Sequence, residues 1–151
     1  MVLLDVVPLD VDPFVVVDVA PGQVRAALEQ RGWRAELLDG DAARGQSLRA
    51  ALGRVDLLHY VGHARSGGPG GWGSRLSLAR DDTLEVPDVL ALSQVPTTVV
   101  LSGCETGVVD PQSLGGGMSL AHAFILAGAQ VVVATTHEIG DEDAIALMGD
   151  L

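Results

Sequence analysis

The sequence predicts an α/β domain built on a largely parallel sheet, and three observations carry that expectation. Short apolar runs bounded by turn residues recur along the chain, as buried parallel strands require. Segments with helical spacing stand between them. Glycine or proline marks most of the junctions. Strand, helix, strand, helix, strand is the rhythm of a sheet whose parallel neighbours are joined by crossover helices.

Phe14 to Val17 reads as the first strand, and Pro8 and Pro13 argue against a central strand before it. Pro21 suits the start of a helix over Gln23 to Arg31, with Val24, Ala27 and Leu28 on one side and Gly32 as its stop. Trp33 to Leu38 alternates as a strand does. Arg44 to Leu52 reads as a helix with Leu48 and Leu52 on one face, Gly53 stops it, and Val55 to Val61 is the next strand.

Arg65 to Ser74 holds five glycines and Pro69 and is expected as a loop. Arg75 to Ala79 alternates Leu76 and Leu78, as one arm of a short hairpin would. Asp82 or Thr83 is expected to cap no more than a turn, and Val86 to Leu92 to form a short helix. Thr97 to Val100 is β-branched and strand-like. Val108 to Gly117 is a second glycine-rich loop. Ser119 to Leu126 is an apolar helix stopped by Gly128, Gln130 to Thr135 a last strand, and Ala144 to Met148 the beginning of a helix. The length of 151 residues suggests a single domain. That late helix near Leu151 suggests a domain truncated at its carboxyl end, within a larger protein.

Hydrophobic residues make up 48% of the chain, enough for a core, and only 3% of residues are aromatic, so Val, Leu and Ala must fill it. The formal charge of −11 argues against nucleic acid, which needs clustered Lys and Arg, and against anionic membrane surfaces. It favours a basic peptide partner, and solubility accounts for it equally well. A single cysteine excludes an internal disulfide and a cysteine-rich zinc site, and fits a reducing cytoplasm. No apolar run approaches the length of a membrane span, and the amino terminus lacks the positive region of a secretory signal.

That cysteine, Cys104, follows the run from Thr97 within TTVVLSGCETG. Gly62-His63-Ala64 follows the strand Val55 to Val61. Open α/β folds place their ligand sites at the carboxyl ends of strands. Two strand ends can thus present a thiol beside an imidazole. A thiol attacks carbonyl carbon as thiolate, and His63 can supply the charge that enriches that form and later protonate a leaving amine. The backbone N–H groups of Ala64 and Cys104 are candidate oxyanion donors. The competing reading is that Cys104 is a small buried hydrophobe and His63 a polar turn residue.

The stretches LLHYVGHA (57–64), VVLSGCETG (99–107), SLAHAFILAGAQVVVAT (119–135) and EIGDEDA (138–144) resemble the CHAT domain. CHAT domains are caspase-like, of the clan CD cysteine peptidases, related to separase and often attached to tetratricopeptide repeats. The resemblance covers roughly residues 44–148, and the amino-terminal third matches only in rhythm. It implies a caspase-like three-layer α/β/α sandwich with a mostly parallel central sheet. It puts the family's catalytic histidine at His63 and its cysteine at Cys104. It implies endopeptidase cleavage of a protein or peptide partner, without metal or cofactor, and tetratricopeptide or other regulatory domains in the full-length protein. The competing function is a non-catalytic caspase-like scaffold or partner-binding module.

His137 stands where many relatives have tryptophan, and either lines a substrate pocket or caps a strand end. In separase-like relatives an acidic residue in the region of Glu138 to Asp143 holds a basic substrate side chain. Asp141 best matches that position, with Glu138 beside it, which implies cleavage after a basic residue. The alternative for Asp141 is a helix amino-terminal cap. His59 lies within a strand on the face of Val61 and is expected to be a satisfied structural histidine. His122 is expected in the core. Thr106 is expected to stabilise its turn through hydroxyl-to-backbone bonds, and Glu105 either does the same or orients His63. The loop GGPGGWG (67–73) is no phosphate loop, because no lysine follows it.

Overall fold

The structure is a computed structural model that describes residues 14–18, 35–108 and 117–136. Five strands form one sheet in the order β2-β1-β3-β7-β8, every neighbouring pair parallel. They are β1 (Phe14–Asp18), β2 (Ala35–Asp39), β3 (Leu57–Val61), β7 (Thr98–Ser102) and β8 (Val131–Ala134). Between β3 and β7 the chain builds a second, antiparallel sheet of β4 (Ala64–Arg65), β5 (Arg75–Ser77) and β6 (Thr83–Glu85). The hairpin arm expected at Arg75 to Ala79 is β5. The expected loop from Arg65 to Ser74 contains one turn of 3-10 helix, Pro69–Gly71.

The helices are α1 (Gly45–Leu52), α2 (Val86–Leu90) and α3 (Leu120–Ala127). The connections from β2 to β3, β3 to β7 and β7 to β8 all run the same way across the sheet. Right-handed crossovers therefore put these helices on one face. The contacts agree: Arg49 of α1 pairs with Asp88 of α2 at 3.3 Å, and α2 packs on α3. The helix expected at Gln23 to Arg31 lies outside the described residues. So does the helix expected at Ala144 to Met148.

One core joins both sheets. Leu48 and Leu52 of α1, Leu58 and Tyr60 of β3, Leu76 of β5, Leu84 of β6, Val99 and Leu101 of β7, and Phe124 of α3 are all buried in one cluster. Each buried leucine contributes on the order of 2 kcal/mol of transfer free energy. The antiparallel sheet is thus anchored to the parallel one through Leu76 and Leu84, and its β4 starts just past the carboxyl end of β3.

Two expectations need correction. Asp82 does more than cap a turn: its carboxylate accepts the Gly45 N–H at 2.7 Å and so caps α1 across 37 residues. Arg44, the residue before α1, supplies no side-chain cap of its own, which leaves that orphan donor for a distant carboxylate. The Gly45 and Thr83 N–H groups hold the Asp82 carboxyl below its usual range. His122 is exposed on α3 rather than in the core, with Nδ1 3.2 Å from Ser119 Oγ. The buried stripe of α3 is Leu120, Ala123 and Phe124, and His122 lies off it.

Candidate active site at the ends of two strands

Adjacent parallel strands carry the two candidate residues. In the register of β3 and β7, Val61 is opposite Ser102, and the Gly62 N–H donates to the Ser102 carbonyl at 3.3 Å. His63 and Cys104 each lie two residues beyond that pair. Both line one cleft of about 570 Å³, together with Ala64, Arg65, Ser77 and Glu105. Cys104 is free and half-buried, and His63 is exposed. A second cleft, lined by Arg54, Asp56, Gln94 and Gly128 among others, lies at the opposite, amino-terminal end of the strands. Open parallel sheets bind ligands at the other end.

Glycine at 103 permits the close approach of the two strand ends. A Cβ there would lie 2.8 Å from the Gly62 carbonyl oxygen and 3.1 Å from Ala64 Cβ. Cys104 begins a turn in which Glu105 has φ of +58°, a left-handed conformation that costs a non-glycine residue free energy. Thr106 holds this turn, as expected. Its buried hydroxyl donates toward the Leu101 carbonyl at 3.2 Å and lies 3.4 Å from the Gly103 carbonyl, and it accepts the Thr135 N–H at 3.1 Å. The Thr135 hydroxyl donates to the Gly103 carbonyl, and the Gly107 N–H to the Thr135 carbonyl at 2.8 Å.

The backbone N–H groups of Ala64 and Cys104, two residues that line the cleft, have no partner among the described residues. The Ser77 N–H donates to the His63 carbonyl, so His63 and Ser77 form a bonded pair of the β4–β5 ladder. Alternation makes the next pair, Ala64 with Leu76, a non-bonded one, and turns the Ala64 N–H away from β5. Because β4 is an edge strand, that donor meets no further strand. The Cys104 N–H likewise makes no bond to a described residue.

Glu105 does not reach His63. Its carboxylate accepts the Ser66 hydroxyl at 2.9 Å, which joins the segment after His63 to the turn after Cys104. The glycine-rich segment beyond Ser66 is fastened to the start of α3 by a bond from the Met118 N–H to the Gly70 carbonyl at 2.7 Å. Gly71, at φ of +79°, has no room for a side chain because the Met118 carbonyl occupies that space.

His59 is 6% exposed, with Nε2 3.0 Å from Ser102 Oγ, as a satisfied structural histidine should be. Burial pushes its pKa down to about 4, so the ring is neutral near neutral pH. Burial pushes the Tyr60 phenol well above its ordinary value, against a smaller opposing effect of its bond to the Ser77 carbonyl. His137, Glu138 and Asp141 lie outside the described residues. Sequence reasoning missed Arg65, Ser66 and Ser77. Ser77 follows the buried Leu76, and strand alternation was the available signal that it faces away from the core.

Among the described residues, no helix is long and apolar enough to cross a membrane. No group of three His, Cys, Asp or Glu side chains among them stands close enough to hold a metal ion. A family model described as the CHAT domain matches residues 16–151. No curated protein matches the chain.

Proposed function

The chain belongs to the CHAT domain family, caspase-like and related to peptidases, and from that premise we propose that it is a cysteine endopeptidase with a His63–Cys104 dyad. The observation that carries the proposal is that both residues line one cleft at the carboxyl ends of neighbouring parallel strands. The half-buried, unpaired thiol favours this over the reading of Cys104 as a buried hydrophobe.

The chemistry runs in two stages. Imidazolium at His63 stabilises thiolate at Cys104, which attacks the scissile carbonyl and forms a C–S bond. The Ala64 and Cys104 N–H groups receive the oxyanion. Collapse breaks the C–N bond, and His63 gives its proton to the departing amine. In the second stage His63 takes a proton from water, whose oxygen attacks the thioester. The acid product leaves, and thiolate and imidazolium are restored.

The substrate in this proposal is a protein or peptide, cut after a basic residue held by Asp141, with His137 and Glu138 beside it. Support comes from Thr135, whose bonds to Thr106 and Gly103 tie the chain just before that segment to the Cys104 turn. The acidic charge of the chain favours a basic partner over nucleic acid or an anionic membrane. The cytoplasm suits the free thiol, and tetratricopeptide or other regulatory domains complete the full-length protein.

The test is hydrolysis of fluorogenic peptides ending in Arg, Lys, Asp or Leu before the reporter. The proposal expects release from the Arg and Lys peptides, none with Cys104→Ser or His63→Ala, and loss of the basic preference with Asp141→Ala. A folded chain that cleaves none of them supports the scaffold reading instead.

A further inference from the structure

We propose that Tyr60 is the positioning residue of this site, a shared buried floor that sets the His63 backbone and the Cys104 turn relative to one another. The inference rests on the endopeptidase reading above. Tyr60 lies in β3 and is fully buried. Its hydroxyl lies 2.6 Å from the His63 carbonyl oxygen and 2.8 Å from that of Ser77. A phenol has one proton to give, so a single donor is shared between two carbonyls that face each other across the β4–β5 ladder. The Ser77 N–H donates to the same His63 carbonyl at 2.8 Å. The backbone of His63 is therefore held from below by a side chain and from beside by a strand.

The ring of the same residue meets the other half of the site. The Cβ position of Gly103, the residue before Cys104, is 3.3 Å from Tyr60 Cε1. The edge of the ring whose hydroxyl holds the histidine thus bounds the space where a side chain on Gly103, one residue before the thiol, would begin. Among the described residues, Tyr60 is the side chain that bonds the His63 backbone, and its ring also borders the space beside Gly103. A rigid aromatic of fixed length between the two sets their separation. The site can tolerate little error there, because small misplacements of reacting groups cost large factors in rate.

Tyr60→Phe keeps the ring and removes the donor. The expected result is a kcat for the Arg peptide lower by roughly 10- to 100-fold with KM little changed. The pH profile should move as well, since the dyad's own geometry is disturbed, and a merely structural loss would leave the profile of the folded fraction unaltered. A folded Tyr60→Phe chain with wild-type kcat and pH profile overturns the inference and leaves the endopeptidase reading standing. A folded wild type with neither hydrolysis nor His63-dependent thiol reactivity overturns that reading, and the inference falls with it.

A second measurement leaves the Tyr60 hydroxyl in place. Tyr60 is the single tyrosine of the chain, so 3-fluorotyrosine supplied during expression reports on this position alone. Its fluorine resonance should shift when Cys104 is alkylated and again in His63→Ala. A resonance unmoved by both changes overturns the inference.

Discussion

The Thr135 N–H donates to the buried hydroxyl oxygen of Thr106 at 3.1 Å, and so fastens the end of β8 to the turn that carries Cys104. The same turn is held from two other directions. Thr106 Oγ1 reaches back to the Leu101 carbonyl of β7, and the Ala121 N–H of α3 donates to the Thr106 carbonyl at 3.2 Å. The candidate nucleophile therefore sits on a turn bonded to two strands and a helix.

Thr106→Val keeps the side chain's shape and removes its hydroxyl. The half-buried Thr135 N–H loses its acceptor, a loss of about 1 kcal/mol. Denaturant unfolding should show that decrease, and Thr106→Ser should restore most of it. A valine variant as stable as wild type would mean that the hydroxyl network contributes nothing.

Gly103→Ala tests the close approach of the strand ends. The new methyl would stand 2.8 Å from the Gly62 carbonyl oxygen, which belongs to backbone and cannot rotate aside. Overpacking of this kind costs about 1–3 kcal/mol. The melting temperature should fall, and the reactivity of Cys104 toward an arginine-directed reagent should fall with it.

His59 makes the fold sensitive to mild acid. Its folded pKa is about 4, lowered by burial, against an ordinary 6.5. Between those values the unfolded chain binds the proton and the folded chain does not, so stability falls as pH drops from 6.5 toward 4. The full loss is about 3 kcal/mol. Below that window the loss is complete, and above it His59 is neutral in both states. His59→Gln, which can still bond Ser102, should flatten this part of the stability–pH curve, as urea titrations across the window would show.

Asp82→Ala should cost about 1 kcal/mol through the lost cap on α1. Asp41→Ala, which breaks an exposed ion pair with Arg80, should leave the melting curve where it was. The contrast separates a carboxylate that satisfies a helix end from one that only meets a guanidinium in water.

The parallel sheet was legible because its strands are short apolar runs with turn residues at their ends. Phe14 to Val17 and Gln130 to Thr135 each fall within a residue of the observed bounds. The antiparallel sheet was legible only in part. Its strands are two or three residues long, too short for alternation to separate them from loop. The cap from Asp82 was hidden because its partner is 37 residues away. His122 was misread because α3 is apolar on most sides and exposes Ile125 and Leu126 as well. Its absence from the stripe of Leu120, Ala123 and Phe124 was the signal that could have corrected it. At the site, motif position singled out His63, Cys104 and Thr106. It could not reveal Ser66 on Glu105 or Tyr60 beneath the histidine, because those contacts depend on how the two sheets meet.

The most direct test of the central claim is labelling of Cys104 by an acyloxymethyl ketone with arginine at its reactive end. Wild type is compared with His63→Ala on folded protein, and the modified residue is located by mass spectrometry. The endopeptidase account predicts rapid labelling at Cys104 that requires His63. Labelling that proceeds equally fast in His63→Ala, or none from arginine, lysine or aspartate reagents, would contradict it.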